Sequence, residues 1–204
     1  MSKGEQTRMI IIQKSAELFN VRGYAGSSIK DIMQVTGLKK GGIYRHFTGK
    51  DQLAAEAFDY ATAILSERLS TAIESADTAI EKALVIFDVY KDAVNDPPVI
   101  GGCPLLNTAV ESDDTHPVLR EQALQVMKQF LSTIQEIIQD GIQTGEFRSD
   151  TEVVSLSSLI LSTLEGAIMA SKLAHDNSHI AYCKEHLCRY LLSYQTEFAR
   201  IDKQ

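Results

Sequence analysis

The chain has 204 residues, of which 44% are hydrophobic and 23% charged, and its formal net charge is −7. These proportions are typical of a globular protein and exclude a disordered or collagen-like chain. The first residues contain no apolar signal segment, and no run of eighteen apolar residues occurs, so we expect a cytoplasmic protein. The three cysteines (Cys103, Cys183 and Cys188) include no CxxC pair, which argues against a disulfide framework and against a thiolate zinc finger.

The charge is distributed unevenly along the chain. Residues 1–50 contain nine Lys and Arg against three acidic residues, a net charge of +6, which leaves −13 for the remainder. A clustered basic segment is what contacts to phosphate groups require, and an acidic remainder limits nonspecific adhesion. This asymmetry favours a nucleic-acid-binding head on an acidic body, although a solvated basic face without a partner would have the same composition.

Apolar residues recur at helical spacing, and no sustained alternation of period two occurs, which predicts an all-α fold. The first helix is expected to end near Gly23. Ser28 and Asp31 form a capping-box pattern that opens a short second helix, and a turn at Thr36–Leu38 separates it from a third, basic helix. Two short helices joined by a tight turn, the second of them basic, are typical of a helix-turn-helix.

The remainder of the chain is also expected to be helical, giving about nine helices in total. The predicted elements are a long helix from Lys50, a helix over 79–94, a short helix from Pro104, a helix from Pro117 to Gly145, and two closing helices over 153–174 and 179–200. Asp150 and Ser178 are the predicted N-caps of the two closing helices.

Residues 39–50, KKGGIYRHFTGK, combine two adjacent glycines with several cations and an aromatic residue. Glycine costs a helix about 1 kcal/mol relative to alanine, so another property must favour Gly41 and Gly42 here. One such property is the close approach of another molecule's backbone. Ile43 and Phe47 are predicted to face the core.

Residues 8–53 resemble the DNA-binding head of the TetR/AcrR family of transcriptional regulators. The resemblance is carried by the segment Tyr24–Leu53, YAGSSIKDIMQVTGLKKGGIYRHFTGKDQL, in which the Gly-Leu turn, Tyr-x-His-Phe and Lys-x-x-Leu follow the family's spacing. It implies a three-helix DNA-binding head, residues 1–48, and a larger helical body for ligand binding and dimerisation, residues 49–204. The boundary is expected within a continuous helical connection.

A recognition helix enters the major groove with its N-terminus first, which places Lys40, Gly41 and Gly42 nearest the base edges and Tyr44 one turn further on. His46, Lys50 and the Ser28 hydroxyl are predicted to hold phosphates. The complete predicted DNA-binding set is Ser28, Lys39, Lys40, Gly41, Gly42, Tyr44, Arg45, His46 and Lys50.

The resemblance also implies a homodimer through the last two helices, palindromic double-stranded operator DNA, and a small-molecule effector bound in the body. The predicted function is that of a repressor released from its operator by this effector. The polar residues predicted to line the effector pocket are Tyr90, Cys103, Asn107, Glu111 and His175.

Four alternatives accompany this interpretation. Cys103 follows a segment that interrupts the helical pattern, and it would sense thiol-reactive compounds if its thiolate were stabilised. His179, Cys183 and His186 share one helical face, but a structural zinc site needs a fourth ligand, so we predict no metal and no cofactor. A helical enzyme and a DNA-binding protein without a ligand are the remaining rivals, and the absence of GxSxG, GxxxxGK[ST] and HExxH patterns predicts that the chain is not an enzyme.

Overall fold

The computed structural model describes residues 2–197. In this range the chain forms nine α-helices and no β-strand, and the only β-type pairing is one antiparallel bridge between Phe147 and Gln195. The helices are α1 (Lys3–Arg22), α2 (Ile29–Thr36), α3 (Lys40–Tyr44), α4 (Lys50–Glu74), α5 (Ala79–Asp88), α6 (Pro104–Ser112), α7 (Pro117–Gln143), α8 (Val153–Ala174) and α9 (Ser178–Leu192). The all-α prediction is confirmed.

The described chain divides into two compact units. The first contains the described residues up to Ser66 together with Val99–Val126, and the second contains Glu67–Pro98 and the described residues from Met127 onward. Neither limit coincides with the predicted boundary at residue 48, because the segment that contains α6 packs with the N-terminal helices. The functional division into a head and a body therefore stays a prediction.

Local signals determine the ends of the first helices. α1 ends at Gly23, whose φ of 76° is one that glycine adopts without strain. The Ser28 hydroxyl accepts a hydrogen bond from the Asp31 N–H, and the Asp31 carboxylate accepts one from the Ser28 N–H, which confirms the predicted capping box of α2. α2 ends at Gly37 in the left-handed conformation, as the predicted turn requires.

These three helices share one small hydrophobic core with the start of α4. α1 packs against α2, and α2 packs against α3. The buried residues of this core are Ile11, Ile12, Leu18, Ile32, Ile43, Phe47 and Leu53. Ile43 and Phe47 are therefore core residues, as predicted.

The connection between α3 and α4 is not helical, so the prediction of a continuous helical connection at residue 48 is wrong. Residues 45–49 form a turn and bends, and α4 begins at Lys50. The Gln52 side chain explains the interruption, because its Oε1 accepts hydrogen bonds from the N–H and the hydroxyl of Thr48 at 2.7 and 2.9 Å. This contact caps the new helix start.

The segment before α6 is hydrogen-bonded to the end of α1. Asn107 Nδ2 donates to the Asn20 carbonyl, the Asn20 Oδ1 and the Gly101 carbonyl, and Asn20 Nδ2 donates to the carbonyls of Ile100 and Gly102. Gly101 has a φ of 100°, and a Cβ at this position would lie 2.6 Å from the Asn20 carbonyl oxygen. Only glycine allows this approach, so these contacts fix α6 against α1.

In the second unit α5 is shorter than predicted. Its first two N–H groups, those of Ala79 and Ile80, donate to the Glu146 carboxylate at 2.7 and 3.1 Å. The helix ends at Asp88, not at Val94, and turns follow. The N–H of Val94 donates to the Asn177 side chain at 3.2 Å, so it forms its hydrogen bond outside a helix.

The predicted N-caps of the two closing helices are wrong. α8 begins after Glu152, whereas Asp150 pairs with Arg148 at 3.1 Å. α9 begins at Ser178 itself, with Asn177 as the N-cap residue, and the Ser178 N–H donates to the Asp176 carboxylate.

α9 ends at Leu192, earlier than the predicted residue 200. The chain then turns, and Gln195 forms the bridge to Phe147. Residues 198–200 of the predicted helix lie outside the described residues.

By length and composition, α8 is the single helix in the described residues that could cross a membrane. One such helix is weak evidence for a span, because the core helix of a globular protein has the same composition. α9 packs against both α8 and α5.

Candidate nucleic-acid interface

The recognition helix predicted from the sequence is α3, and it has one buried and one exposed face. Ile43 is 1% exposed and packs into the hydrophobic core that α1, α2 and α3 share with the start of α4, whereas Tyr44 is 44% exposed. Of the nine residues predicted to bind DNA, Ser28, Lys39, Lys40, Gly41, Tyr44 and Arg45 are exposed, and Gly42, His46 and Lys50 are half-buried. Lys40, Gly41 and Tyr44 thus lie together on the exposed side of α3, which is called the DNA-binding edge below.

No contact within the chain and no backbone angle requires glycine at positions 41 and 42. A Cβ added at Gly41 would meet no atom within 4 Å, and one at Gly42 would make ordinary contacts with the Leu38 side chain at 3.6 and 3.9 Å. Neither residue has a positive φ. Because alanine would fit and would favour the helix, the glycines indicate an approach from outside the chain.

Three of the four cations of α1 form ion pairs, whereas Lys3 and the cations near α3 form none among the described residues. Within the described residues, the side chains of Arg8, Lys14 and Arg22 form ion pairs with Glu56, Glu17 and Asp31. The cations of α2, of α3 and its two flanking residues, and of the start of α4 form no ion pair in that range: Lys30, Lys39, Lys40, Arg45 and Lys50. Unpaired cations that lie close together in the sequence are available to phosphate groups.

Lys50 is held at the start of α4 by the Tyr24 ring. Its Nζ lies 3.9 Å from the ring centroid, and the Tyr24 hydroxyl donates a hydrogen bond to Asp51. Partial burial, with the Asp51 contact next in size, raises the pKa of Tyr24 to about 12, and partial burial lowers the pKa of Lys50. Tyr24 and Asp51 are thus positioning residues that the sequence did not reveal, because no local pattern links residues 24 and 51.

The other predicted contacts are organised around α3 itself. Lys40 Nζ lies 5.6 Å from the Tyr44 ring centroid, a distance at which a cation and an aromatic ring attract each other weakly. Arg45 caps the end of the helix, and the His46 N–H donates to the Ile43 carbonyl at 3.0 Å. The backbone at this end is therefore hydrogen-bonded, and Arg45 is exposed.

Comparisons with known proteins identify this arrangement. Residues 11–57 match the family model "Bacterial regulatory proteins, tetR family", and residues 79–187 match "Tetracyclin repressor-like, C-terminal domain". The chain belongs to the TetR family. The two matches together include the helix-turn-helix and most of the second unit.

Individual relatives agree with this assignment. A TetR transcriptional regulator from Chloroflexus aurantiacus is 42% identical, with a TM-score of 0.90 over 94% of this chain and 96% of that one. A TetR-family regulator from Cytophaga hutchinsonii is 34% identical, with a TM-score of 0.90 over 97% and 98%. The transcriptional repressor DhaR from Mycobacterium sp. (strain GP1) is 26% identical over 83% of this chain and 84% of its own.

This TetR-family chain is consequently a DNA-binding transcriptional regulator, and its relatives are regulators rather than enzymes. Operator DNA is its partner, and ligand-responsive repression is typical of the family. The predicted family, fold class and regulatory function are confirmed, and no finding favours the thiol-sensing or enzyme alternatives.

Ser28 has a second role that competes with its predicted phosphate contact. Its hydroxyl donates to the Asp31 carboxylate and accepts from the Asp31 N–H at 3.2 Å. The pKa of Asp31 is lowered first by the hydrogen bond that its carboxylate accepts from the Ser28 hydroxyl and then by the one that it accepts from the Ser28 N–H. A hydroxyl has one hydrogen to donate, so a phosphate must displace the Asp31 carboxylate.

We expect Ser28→Ala and Thr78→Ala to destabilise the TetR-family protein equally, by about 1 kcal/mol each, because both remove the hydroxyl of a capping box. Only Ser28→Ala should also weaken operator binding, about three- to tenfold, through the loss of a phosphate contact. Urea unfolding measures the first effect, and fluorescence anisotropy with labelled operator measures the second. Equal operator affinities of the two variants would restrict Ser28 to capping.

The five predicted effector residues do not form one group. Cys103, Asn107 and Glu111 belong to the first unit, and Tyr90 and His175 belong to the second. Asn107 and Glu111 line a cavity of about 210 Å³ in the first unit. Tyr90 is 1% exposed, and His175 is an exposed residue in the left-handed conformation at the end of α8.

Glu111 has a structural role that the sequence did not reveal. Its carboxylate accepts hydrogen bonds from the N–H groups of Tyr24 and Ala25 at 2.6 and 2.7 Å, beyond the end of α1. A Cβ at Gly23 would lie 2.8 Å from the same carboxylate. Glu111 is thus both a cavity residue and a link between α6 and the segment that leads into α2.

Cys103 precedes Pro104 at the start of α6 and is 1% exposed. A reactive thiol is usually accessible and close to a stabilising positive charge. The burial of Cys103 therefore gives no support to thiol sensing. Within residues 2–197, no three His, Cys, Asp or Glu side chains are placed to hold a metal ion.

Proposed function

We propose that this protein is a homodimeric repressor that leaves a palindromic operator when a small molecule binds. The observation that carries the DNA-binding part is the exposed edge of α3. It combines glycines that the fold itself does not require with cations that form no ion pair among the described residues.

In the proposed complex α3 lies in the major groove. Gly41 and Gly42 permit close approach, while Lys40 and Tyr44 contact base edges or thymine methyl groups. Lys50 holds a phosphate at the start of α4, where the first N–H groups of a helix also favour an anion. Tyr24 supports Lys50 in this position.

Helices α8 and α9 supply the proposed dimer interface. They expose large apolar side chains in the single chain: Val154, Leu159, Met169, Leu173, Tyr182, Tyr190 and Leu192. Leu173 is 82% exposed. Burial of such side chains is favourable, and a two-fold axis would pair the same surface on both copies.

The proposed mechanism is geometric. A dimer presents two recognition helices to half-sites about 34–36 Å apart, or a multiple of this distance. An effector that favours a different separation lowers operator affinity without touching the DNA-binding edge. This role places the protein in the cytoplasm, with the DNA.

We expect Tyr44→Ala and Lys50→Ala each to weaken operator binding, with different salt dependence. Losing Lys50 should reduce the slope of log K against log salt by about one unit, since about one phosphate contact disappears. Losing Tyr44 should lower affinity with little change in slope. The operator is first selected from random duplexes with the wild-type protein, and titrations at several salt concentrations then give both quantities.

Lys128→Ala is the matched control, because it removes the same charge from an exposed lysine of α7 in the second unit, outside the proposed dimer interface. Its affinity and slope should equal those of the wild type. If neither Tyr44→Ala nor Lys50→Ala changed the affinity, the proposed DNA-binding edge would be incorrect.

A further inference from the structure

The cavity in the first unit is surrounded by α1, the N-terminal part of α4, α6 and the start of α7. Small residues create it: Ala54, Ala57 and Ala61 recur at helical spacing on one face of α4, and Phe58 completes that wall. The cavity has a volume of about 210 Å³ and is partly open to solvent. An apolar cavity of about 150 Å³ holds benzene, so this one has room for a single ring with a short substituent.

Ser112 gives the cavity a polar contact point. The residue ends α6, is 1% exposed and lines the cavity. Its Oγ has no hydrogen-bond partner among the described residues. The oxygen itself is buried, so in the proposed complex the side chain rotates about χ1 and turns this unsatisfied hydroxyl toward the bound molecule.

The other polar groups of the wall are largely occupied by the protein. Asn107 donates to Asn20, and the hydroxyl of Thr115 donates to the Glu111 carbonyl. The Glu111 carboxylate accepts two N–H bonds. Its negative charge disfavours an anionic ligand, and its satisfied oxygens reduce the advantage of a cationic one.

We propose that this cavity is a binding site for a neutral, mainly apolar molecule about one ring in size, which carries one hydroxyl or carbonyl group that bonds to Ser112. That the molecule acts as an effector rests on the proposed function. The site adjoins the DNA-binding edge through Glu111, which holds the backbone of Tyr24, the residue whose ring supports Lys50. A ligand that displaces α6 acts on these contacts, which run from Glu111 through Tyr24 to Lys50.

Phenol and toluene are suitable probes, because they have nearly the same size and only phenol has a hydroxyl. Binding to the full-length protein is followed by NMR titration of the backbone amides, with attention to Tyr24 and Ala25. Phenol should bind saturably and shift both amides. Ser112→Ala should weaken phenol binding about three- to tenfold and leave toluene binding unchanged.

Two variants fill the cavity. Ala57→Leu adds volume at a buried position of the wall. Thr108→Leu adds volume at a half-buried position, where a larger side chain disturbs the fold less. Each should weaken both probes at least tenfold. Failure of phenol to saturate, or phenol binding that is indifferent to Ser112→Ala and to both filling variants, would overturn the site.

Operator affinity separates this inference from the proposed function. Saturating phenol should lower it about fivefold or more in the wild type and not in Thr108→Leu. Saturable phenol binding with unchanged operator affinity would overturn the effector role and leave the site. A protein that selects no operator at all would instead contradict the proposed function, whatever phenol does.

Discussion

The Gly41→Leu variant is expected to lose operator affinity by at least about 100-fold, toward the nonspecific level, which lies about 10³–10⁷ below specific binding. The fold offers open space for the new side chain, since a Cβ at Gly41 meets no atom within 4 Å. Leucine is also the better helix former, by about 1 kcal/mol. Thermal stability should therefore remain equal or rise while DNA binding fails.

This combination distinguishes a DNA-contact residue from a structural one. Circular dichroism melting and operator anisotropy on the same preparation measure the two quantities. Gly4→Leu is the matched control, because Gly4 is also an exposed helical glycine with nothing close to its Cβ except the Ser2 hydroxyl at 3.9 Å. That variant should bind operator normally. Retained affinity in Gly41→Leu would mean that α3 does not approach DNA through its glycines.

The helix-turn-helix could be predicted because its determinants are local in the sequence. The Ser28–Asp31 capping box and the left-handed Gly37 are each set by neighbouring residues. The glycine pair and the basic residues of α3 also lie within one short segment. Such signals depend on propensity and capping, which act over a few residues.

The features that the sequence could not provide depend on contacts between distant residues. α5 stops before Val94, whose N–H bonds to Asn177, 83 positions away. Glu111 bonds to the Tyr24 backbone over a separation of 87 residues. No periodicity or motif encodes such pairs, so both the end of α5 and the structural role of Glu111 emerged only from the fold.

The same reasoning applies to the candidate ligand residues. Polarity and a position after the break in the helical pattern at residues 96–102 indicate Asn107 and Glu111, and both line the cavity of the first unit. Polarity alone also selects Tyr90 and His175, which belong to the second unit. No sequence signal marks Ser112, because a serine at the end of a helix is common and only burial reveals its unpaired oxygen.

The Gly166→Arg variant is expected to dissociate the proposed dimer and thereby to lose operator binding. Gly166 is exposed on α8, and a Cβ there would meet no atom within 4 Å of its own chain. A single chain should therefore accept arginine without unfolding. In a two-fold interface each copy would bury an unpaired charge, which costs several kcal/mol and corresponds to a dissociation constant raised by about 10³-fold or more.

Sedimentation velocity at micromolar concentration should show a wild-type dimer and a Gly166→Arg monomer with similar melting temperatures. Gln129→Arg, on an exposed position of α7, adds the same charge and should remain dimeric. Operator affinity should fall together with dimerisation, since a monomer engages one half-site and loses the gain from simultaneous binding. A dimeric Gly166→Arg protein would remove this part of α8 from the interface, and a monomer with wild-type operator affinity would disconnect dimerisation from DNA binding.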